Sequence, residues 1–138
     1  MEWGQWAIIN NILKKKGGAG FWMGLLGKLL TGKQSVNTAV TPQQARQMMD
    51  ESNEYVLLDV RTHEEYKKGH IKGAKLIPVN ELDFRAAAEL PDKHTPVLVY
   101  CNSGARAAVA VKTLTKIGYT NALSFGGIAN WPYETVRE

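Results

Sequence analysis

The sequence contains one cysteine, Cys101, and the residues after it are typical of an anion-binding loop. Cys101 follows the apolar run 96–100, which predicts a buried strand. An alanine-rich segment that follows Gly104 predicts a helix. Backbone N–H groups at the start of a helix attract negative charge, and they lower the pKa of a nearby thiol so that the thiolate forms at neutral pH. The pattern therefore predicts a nucleophilic cysteine at a strand-to-helix turn.

Two further residues of this loop favour the binding of an oxyanion. Gly104 permits a tight backbone turn, and Arg106 supplies a fixed positive charge with a planar pair of donors. The alternative is that Cys101 is only a small buried side chain. A single cysteine excludes an intrachain disulfide, a paired redox motif and a multi-cysteine zinc site, and the three histidines lack the spacing of metal ligands.

Helix and strand signals alternate from residue 41 onward. Capping boxes at Thr41–Gln44 and Thr62–Glu65 predict the starts of two helices, and Asn80 is the predicted cap of a third. The predicted helices end near residues 50, 69, 89 and 117, and the predicted strands are 55–60, 75–78, 96–100 and 122–125. This alternation predicts an α/β fold with a mainly parallel sheet and helices on both faces. Ligands of such sheets bind beyond the carboxyl ends of the strands, where Cys101 is predicted to lie.

Four segments, in order and spacing, resemble the rhodanese family of single-domain sulfurtransferases. They are residues 59–66 (DVRTHEEY), 69–78 (GHIKGAKLIP), 101–106 (CNSGAR) and 126–131 (GGIANW). The resemblance covers residues 36–135. It implies a five-stranded parallel sheet with the strand order 1-5-4-2-3.

The resemblance also implies the chemistry. Cys101 would attack the outer sulfur of a small donor and hold it as a persulfide, and a thiol, cyanide or a protein would accept it, with no metal or organic cofactor. Asp59 and Arg61 would form a mainly structural pair near the mouth of the site. The sulfur would be cradled by the backbone N–H groups of Asn102, Ser103, Gly104, Ala105 and Arg106. Family members that use thiosulfate often have arginine where Asn102 stands here, which leaves the donor open.

Two alternative functions fit the same fold. A cysteine phosphatase or arsenate reductase has a longer loop between the cysteine and the arginine than the four residues present here. A rhodanese-like binding or regulatory module without turnover is the other alternative.

Other polar and aromatic residues have simpler interpretations. The pairs Glu64-Glu65 and Lys67-Lys68 are interpreted as a solvated helix face. His70 is interpreted as a turn residue and Trp131 as a core residue. His63 and His94 are interpreted as exposed or capping residues.

Residues 1–34 differ in composition from the rest of the chain. They contain five lysines and one glutamate and so carry the whole net charge of +4, because 12 basic and 12 acidic residues balance in residues 35–138. The neutral body argues against nucleic-acid binding. We predict a basic amphipathic, helical extension over residues 1–34 and a rhodanese-like domain over residues 35–138.

The extension has an apolar helical stripe within residues 21–31, with lysines nearby. This pattern suits a helix that lies on a membrane surface or packs on a partner or on the domain, and a disordered terminus is a further alternative. No apolar run here is long enough to span a bilayer, and a cleaved signal peptide is less favoured because no small-residue cleavage site follows closely. We predict a cytoplasmic protein, with the membrane face of the cytoplasm as the alternative. The oligomeric state is left open.

Overall fold

The computed structural model describes residues 38–138, and the predictions for residues 1–34 lie outside them. Helices and strands alternate along the described chain. The helices are α1 (Pro42–Glu51), α2 (His63–Lys68), α3 (Leu82–Glu89) and α4 (Ala105–Lys116), and the strands are β1 (Val56–Asp59), β2 (Lys75–Leu76), β3 (Val97–Cys101) and β4 (Ala122–Gly127). Short 3₁₀ turns occupy Val79–Glu81 and Ile128–Asn130. Among residues 38–138, no helix has the length and apolar character needed to cross a membrane.

The described strands form a parallel four-stranded sheet in the order β2-β1-β3-β4. The predicted α/β class is therefore confirmed, but the described residues contain four strands rather than five. At the β4 edge, Ala39 makes a single parallel bridge with Ser124, and the Val40 N–H donates to the Ser124 carbonyl at 2.8 Å. This bridge lies where the predicted first strand would pair. The pairing ends there because Thr41 already caps helix α1.

Apolar cores lie on both faces of the sheet because successive strand residues point to opposite sides. In β1, Leu58 joins the core that α3 and α4 cover, whereas its neighbour Leu57 joins the core beneath α1. The same alternation in β3 places Val97, Val99 and Cys101 on the first face and Leu98 and Tyr100 on the second. Helices thus cover both faces, as predicted, and the side chain of the cysteine lies on the α3–α4 face.

Both predicted capping boxes form. The Thr41 hydroxyl accepts the Gln44 N–H at 3.0 Å, and the Thr62 hydroxyl accepts the Glu65 N–H at 3.2 Å. The glutamine and glutamate side chains accept the N–H groups of the two threonines in return. These local bonds satisfy N–H groups that a helix start would leave without partners.

The prediction that Asn80 caps a helix is wrong. Asn80 lies inside the 3₁₀ turn Val79–Glu81, and α3 begins only at Leu82. The Leu82 N–H, which a side-chain cap at Asn80 would have accepted, donates to the Val79 carbonyl instead.

A buried tyrosine joins the sheet to the segment that follows α2. Tyr100 is fully buried in β3, and its hydroxyl accepts the Ile71 N–H at 3.0 Å. Burial and the charge of Asp59 raise the pKa of Tyr100 far above its usual range, so the hydroxyl stays neutral. The tyrosine therefore fixes the backbone of residues 69–74 against the strand.

We expect Tyr100→Phe to lower the free energy of unfolding by about 1–3 kcal/mol, because the buried Ile71 N–H loses its acceptor. Urea unfolding followed by circular dichroism measures the change. Tyr55→Phe is the control, since the half-buried Tyr55 hydroxyl makes no hydrogen bond with residues 38–138. Equal unfolding midpoints for the two variants would contradict the assignment.

Candidate functional site

Cys101 is the last residue of β3, rather than the first residue after the strand as the sequence suggested. It is 1% exposed, and it faces the core of α3 and α4. Its Sγ accepts the Gly104 N–H at 2.9 Å and lies 4.0 Å from the Gly126 carbonyl oxygen. Helix α4 begins directly after this contact, so its N-terminus adds positive potential beside the sulfur. The sulfur atom therefore lies beside a backbone donor at the start of a helix.

The five residues predicted to bind the substrate, 102–106, connect the end of β3 to the first turn of α4. Gly104 has φ +114°, a conformation that favours glycine, and this turns the chain from β3 into α4. Ala105 is exposed as the first residue of α4, and Arg106 follows it, partly exposed. Asn102 and Ser103 are exposed at the tip. The structure therefore brings the predicted loop together, with the Gly104 N–H in contact with Sγ.

Close packing against β4 supports the other side of this loop. Gly127 pairs with Cys101 across the two strands, and the Ala129 N–H donates to the Asn102 carbonyl at 3.2 Å. A Cβ atom on Gly127 would overlap the carbonyl group of Asn102 and approach the Ser103 nitrogen. Residue 127 must therefore be glycine for the loop to approach this closely.

Arg106 is held by a carboxylate of α2. Its Nη1 and Nη2 donate to Oε1 and Oε2 of Glu65 at 2.8 and 3.0 Å, and Glu65 also accepts the Thr62 N–H. The hydrogen bond from Arg106 is the main cause that lowers the pKa of Glu65 to about 2. The hydrogen bond to Glu65 likewise raises the pKa of Arg106, and the charge of Cys101 adds to this effect. The guanidinium fork predicted for an oxyanion is thus occupied, and the interpretation of Glu65 as a solvated residue is wrong.

Asp59 and Arg61 form the predicted structural pair. Arg61 Nη2 donates to Asp59 Oδ2 at 2.7 Å, and the Arg61 N–H donates to Oδ1 at 2.9 Å. Nη2 also donates to the Gly69 carbonyl at 2.7 Å. Burial alone would lower the pKa of Arg61, but the hydrogen bond and charge of Asp59 outweigh it and raise that pKa. The pair ties the end of β1 to the end of α2.

The remaining interpretations concern histidines and an aromatic residue. The buried His70 ring stacks on Tyr66 with centroids 3.7 Å apart, and its Nδ1 lies 2.8 Å from the Tyr66 carbonyl, which orders the turn after α2. Trp131 is 8% exposed and belongs to the core, as predicted. His63 and His94 are exposed. Between residues 38 and 138, no three His, Cys, Asp or Glu side chains are grouped to hold a metal ion.

A shallow pocket of about 280 Å³ opens beside residues 101–106, which we call the cysteine loop. We call this pocket the mouth pocket. Its lining residues are Arg61, Glu65, Lys68, Gly69, Asn102 and Ile128. Asn102 follows Cys101 directly in the chain, so the mouth pocket reaches the loop that carries the sulfur. The sequence did not predict that Glu65 holds Arg106 or that Lys68 lines this pocket, although the capping box already indicated that the Glu65 side chain turns toward the helix start.

The segments that build this site belong to a described protein family. A family model of the rhodanese-like domain matches residues 41–133. The chain belongs to the rhodanese-like domain family. This match spans Asp59, Arg61 and the whole cysteine loop, and it confirms the resemblance found in the sequence.

Individual relatives agree with this membership. The rhodanese-like domain is similar to thiosulfate sulfurtransferase PspE of Escherichia coli, with 41% identity over 71 residues that cover 51% of this chain and 68% of PspE. It is 36% identical over 96 residues to "Probable adenylyltransferase/sulfurtransferase MoeZ" of Mycobacterium tuberculosis, which covers 68% of this chain and 24% of MoeZ. The chain thus spans about a quarter of the length of that second relative. Among solved structures, a rhodanese with anions from E. coli superposes with a TM-score of 0.58 and 36% identity, covering 61% of this chain and 99% of that one.

We expect Gly127→Ala to lower the free energy of unfolding by about 1–3 kcal/mol, because the added Cβ must displace the backbone of the cysteine loop. Gly69→Ala is the control, since a Cβ there meets no atom within 4 Å and the backbone is extended. We expect this control to change stability by about 0.5 kcal/mol or less. Chemical denaturation measures both variants, and equal stability would show that the loop does not depend on the close approach.

We expect Glu65→Gln to destabilise the protein by about 0.2–1 kcal/mol at pH 7, because both partners of the ion pair are about one-third exposed. Glutamine retains the capping box and isolates the loss of charge. The folded-state pKa of Glu65 is lowered, so its contribution is complete above the unfolded value of about 4.3 and fades as the pH falls through about 2. Denaturation at several pH values measures this, with Glu64→Gln as the neighbouring control. A difference in the free energy of unfolding between Glu65→Gln and wild type that did not shrink below about pH 4.3 would contradict this role of the Glu65 charge.

Proposed function

We propose that this protein is a sulfurtransferase that carries sulfane sulfur on Cys101 as a persulfide. The observation that carries the proposal is the contact between the Gly104 N–H and the Cys101 Sγ at the start of α4. Membership of the rhodanese-like sulfurtransferase family supports it.

The first step transfers sulfur from the donor to the protein. The Cys101 thiolate attacks the outer sulfur of thiosulfate, a new S–S bond forms, and sulfite leaves with the electron pair of the broken bond. The negative charge then lies on the outer sulfur of the persulfide. The Gly104 N–H and the N-terminus of α4 would stabilise this charge.

The second step returns the thiolate. A nucleophilic acceptor attacks the outer sulfur and Cys101 leaves as a thiolate, so that cyanide becomes thiocyanate and a thiol becomes a persulfide. The sequence has no second cysteine that could attack Cys101 Sγ, form a disulfide and expel the outer sulfur as sulfide, so the sulfur passes to another molecule. We propose a small-molecule donor and a thiol, cyanide or protein acceptor.

The donor is proposed to be thiosulfate or a related sulfane-sulfur compound. The name of PspE states thiosulfate as the donor of that relative. In this chain the residue after the cysteine is the uncharged Asn102, and the Arg106 fork is held by Glu65. Both features weaken the binding of a dianion by the loop itself.

Incubation with thiosulfate is expected to add about 32 Da, one sulfur atom, to the intact protein, and cyanide is expected to remove it. Cys101→Ser is expected to abolish the gain, because the hydroxyl cannot form the persulfide. Intact-protein mass spectrometry measures both. If the wild type gained no sulfur from thiosulfate, mercaptopyruvate or a low-molecular-weight persulfide, the transferase proposal would be overturned in favour of a binding module. Turnover of an aryl phosphate without sulfur loading would instead favour a phosphatase.

A further inference from the structure

The mouth pocket holds three cationic residues within or beside it, and two of them are already paired. Arg61 is bonded to the buried Asp59, and Arg106 is bonded through both terminal nitrogens to Glu65. A guanidinium in such a pair has its positive charge balanced and its donor fork occupied. Each arginine therefore meets an incoming anion with a positive charge that a carboxylate already balances.

Lys68 is the third cation, and it differs from the arginines. It lines the mouth pocket from the last residue of α2 and is exposed. Its side chain makes no hydrogen bond or ion pair with any residue of the described range 38–138. Its neighbour Lys67 is equally exposed on the same helix turn but does not line the pocket. The two lysines therefore carry the same charge in different places relative to the cysteine loop.

The chemistry of sulfur transfer makes such a cation useful. When the S–S bond of a thiosulfate-type donor breaks, negative charge stays on the departing group, which is sulfite or a sulfinate. In the proposed reaction Cys101 and the Gly104 N–H hold the transferred sulfur, so they lie on the other side of the breaking bond. A lysine at the pocket mouth can approach the departing anion because its ammonium group is a mobile point charge on a flexible stem. Positive potential there also raises the local concentration of anionic donors.

We propose that Lys68 binds the anionic leaving group of the sulfur donor and makes this protein selective for anionic small-molecule donors. The inference rests on the proposed sulfur-transfer function and adds the residue that determines donor charge. Lys68 takes the role that the paired Arg106 and the uncharged Asn102 leave unfilled.

The rate of persulfide formation at low salt tests the inference. Two donors deliver the same sulfur and differ in charge, namely thiosulfate, a dianion, and benzenethiosulfonate, a monoanion. Lys68→Gln is expected to lower the second-order rate constant with thiosulfate by about threefold to tenfold. Because Coulomb energy is proportional to charge, the loss with the monoanion is expected to be about the square root of that factor. Added salt at about 0.5 M is expected to reduce both losses.

Lys67→Gln is the control, since it removes the same charge from the adjacent exposed position. Rate constants that match the wild type for this control, with a loss confined to Lys68→Gln, support the inference. Equal losses in the two variants, or no loss in either, overturn it. If neither anion loads the wild type but a cysteine persulfide does, the inference fails while the proposed function stands. If no donor loads Cys101, both fail.

Discussion

Two opposite charges are buried between the sheet and α2, and their need for partners determines how the site is built. Asp59 is fully buried at the end of β1, and Arg61 is 4% exposed. Removing two charges from water is costly unless they bond to each other and their remaining polar atoms also find partners. Here the Asp59 carboxylate accepts hydrogen bonds from the guanidinium and the backbone N–H of Arg61. Arg61 Nη2 also donates to the Gly69 carbonyl. The pair therefore places the end of α2 directly at the carboxyl end of the sheet.

The position of α2 in turn determines the surroundings of the cysteine. Helix α2 carries Glu65, which holds Arg106 and so fixes the first turn of α4 from one side. On the other side, Gly127 lets the loop backbone pack directly on β4. Cys101 lies between these two supports, with the Gly104 N–H already directed at its sulfur. In the proposed reaction, a dipole that is already fixed needs no reorganisation when charge develops on the sulfur.

The parts of this structure that sequence could predict are those determined by short-range rules. The capping boxes at Thr41 and Thr62 depend on residues three positions apart, and the buried strands follow from continuous apolar runs. The contact between Glu65 and Arg106 spans 41 positions and depends on where the buried pair places α2, so no local pattern indicated it. The start of α3 was misjudged because a 3₁₀ backbone turn replaced the expected side-chain cap. The single bridge of Ala39 could not be foreseen, because the extent of edge pairing depends on the neighbouring strand.

The depth of Cys101 constrains how the proposed transfer proceeds. The thiol is almost wholly buried and faces the α3–α4 core, and the mouth pocket adjoins its loop at Asn102, so in the proposed reaction small molecules would approach it from there. A persulfide would extend the side chain by one S–S bond of about 2 Å, and the proposed transfer requires the outer sulfur to point toward the mouth pocket. In the proposed reaction the acceptor therefore meets the outer sulfur while the thiol stays protected. Donor and acceptor must use the same opening, which requires the donor remnant to leave before the acceptor enters. In the proposed reaction the loop holds the same sulfur atom in both steps, and the charge of Lys68 selects the donor that delivers it.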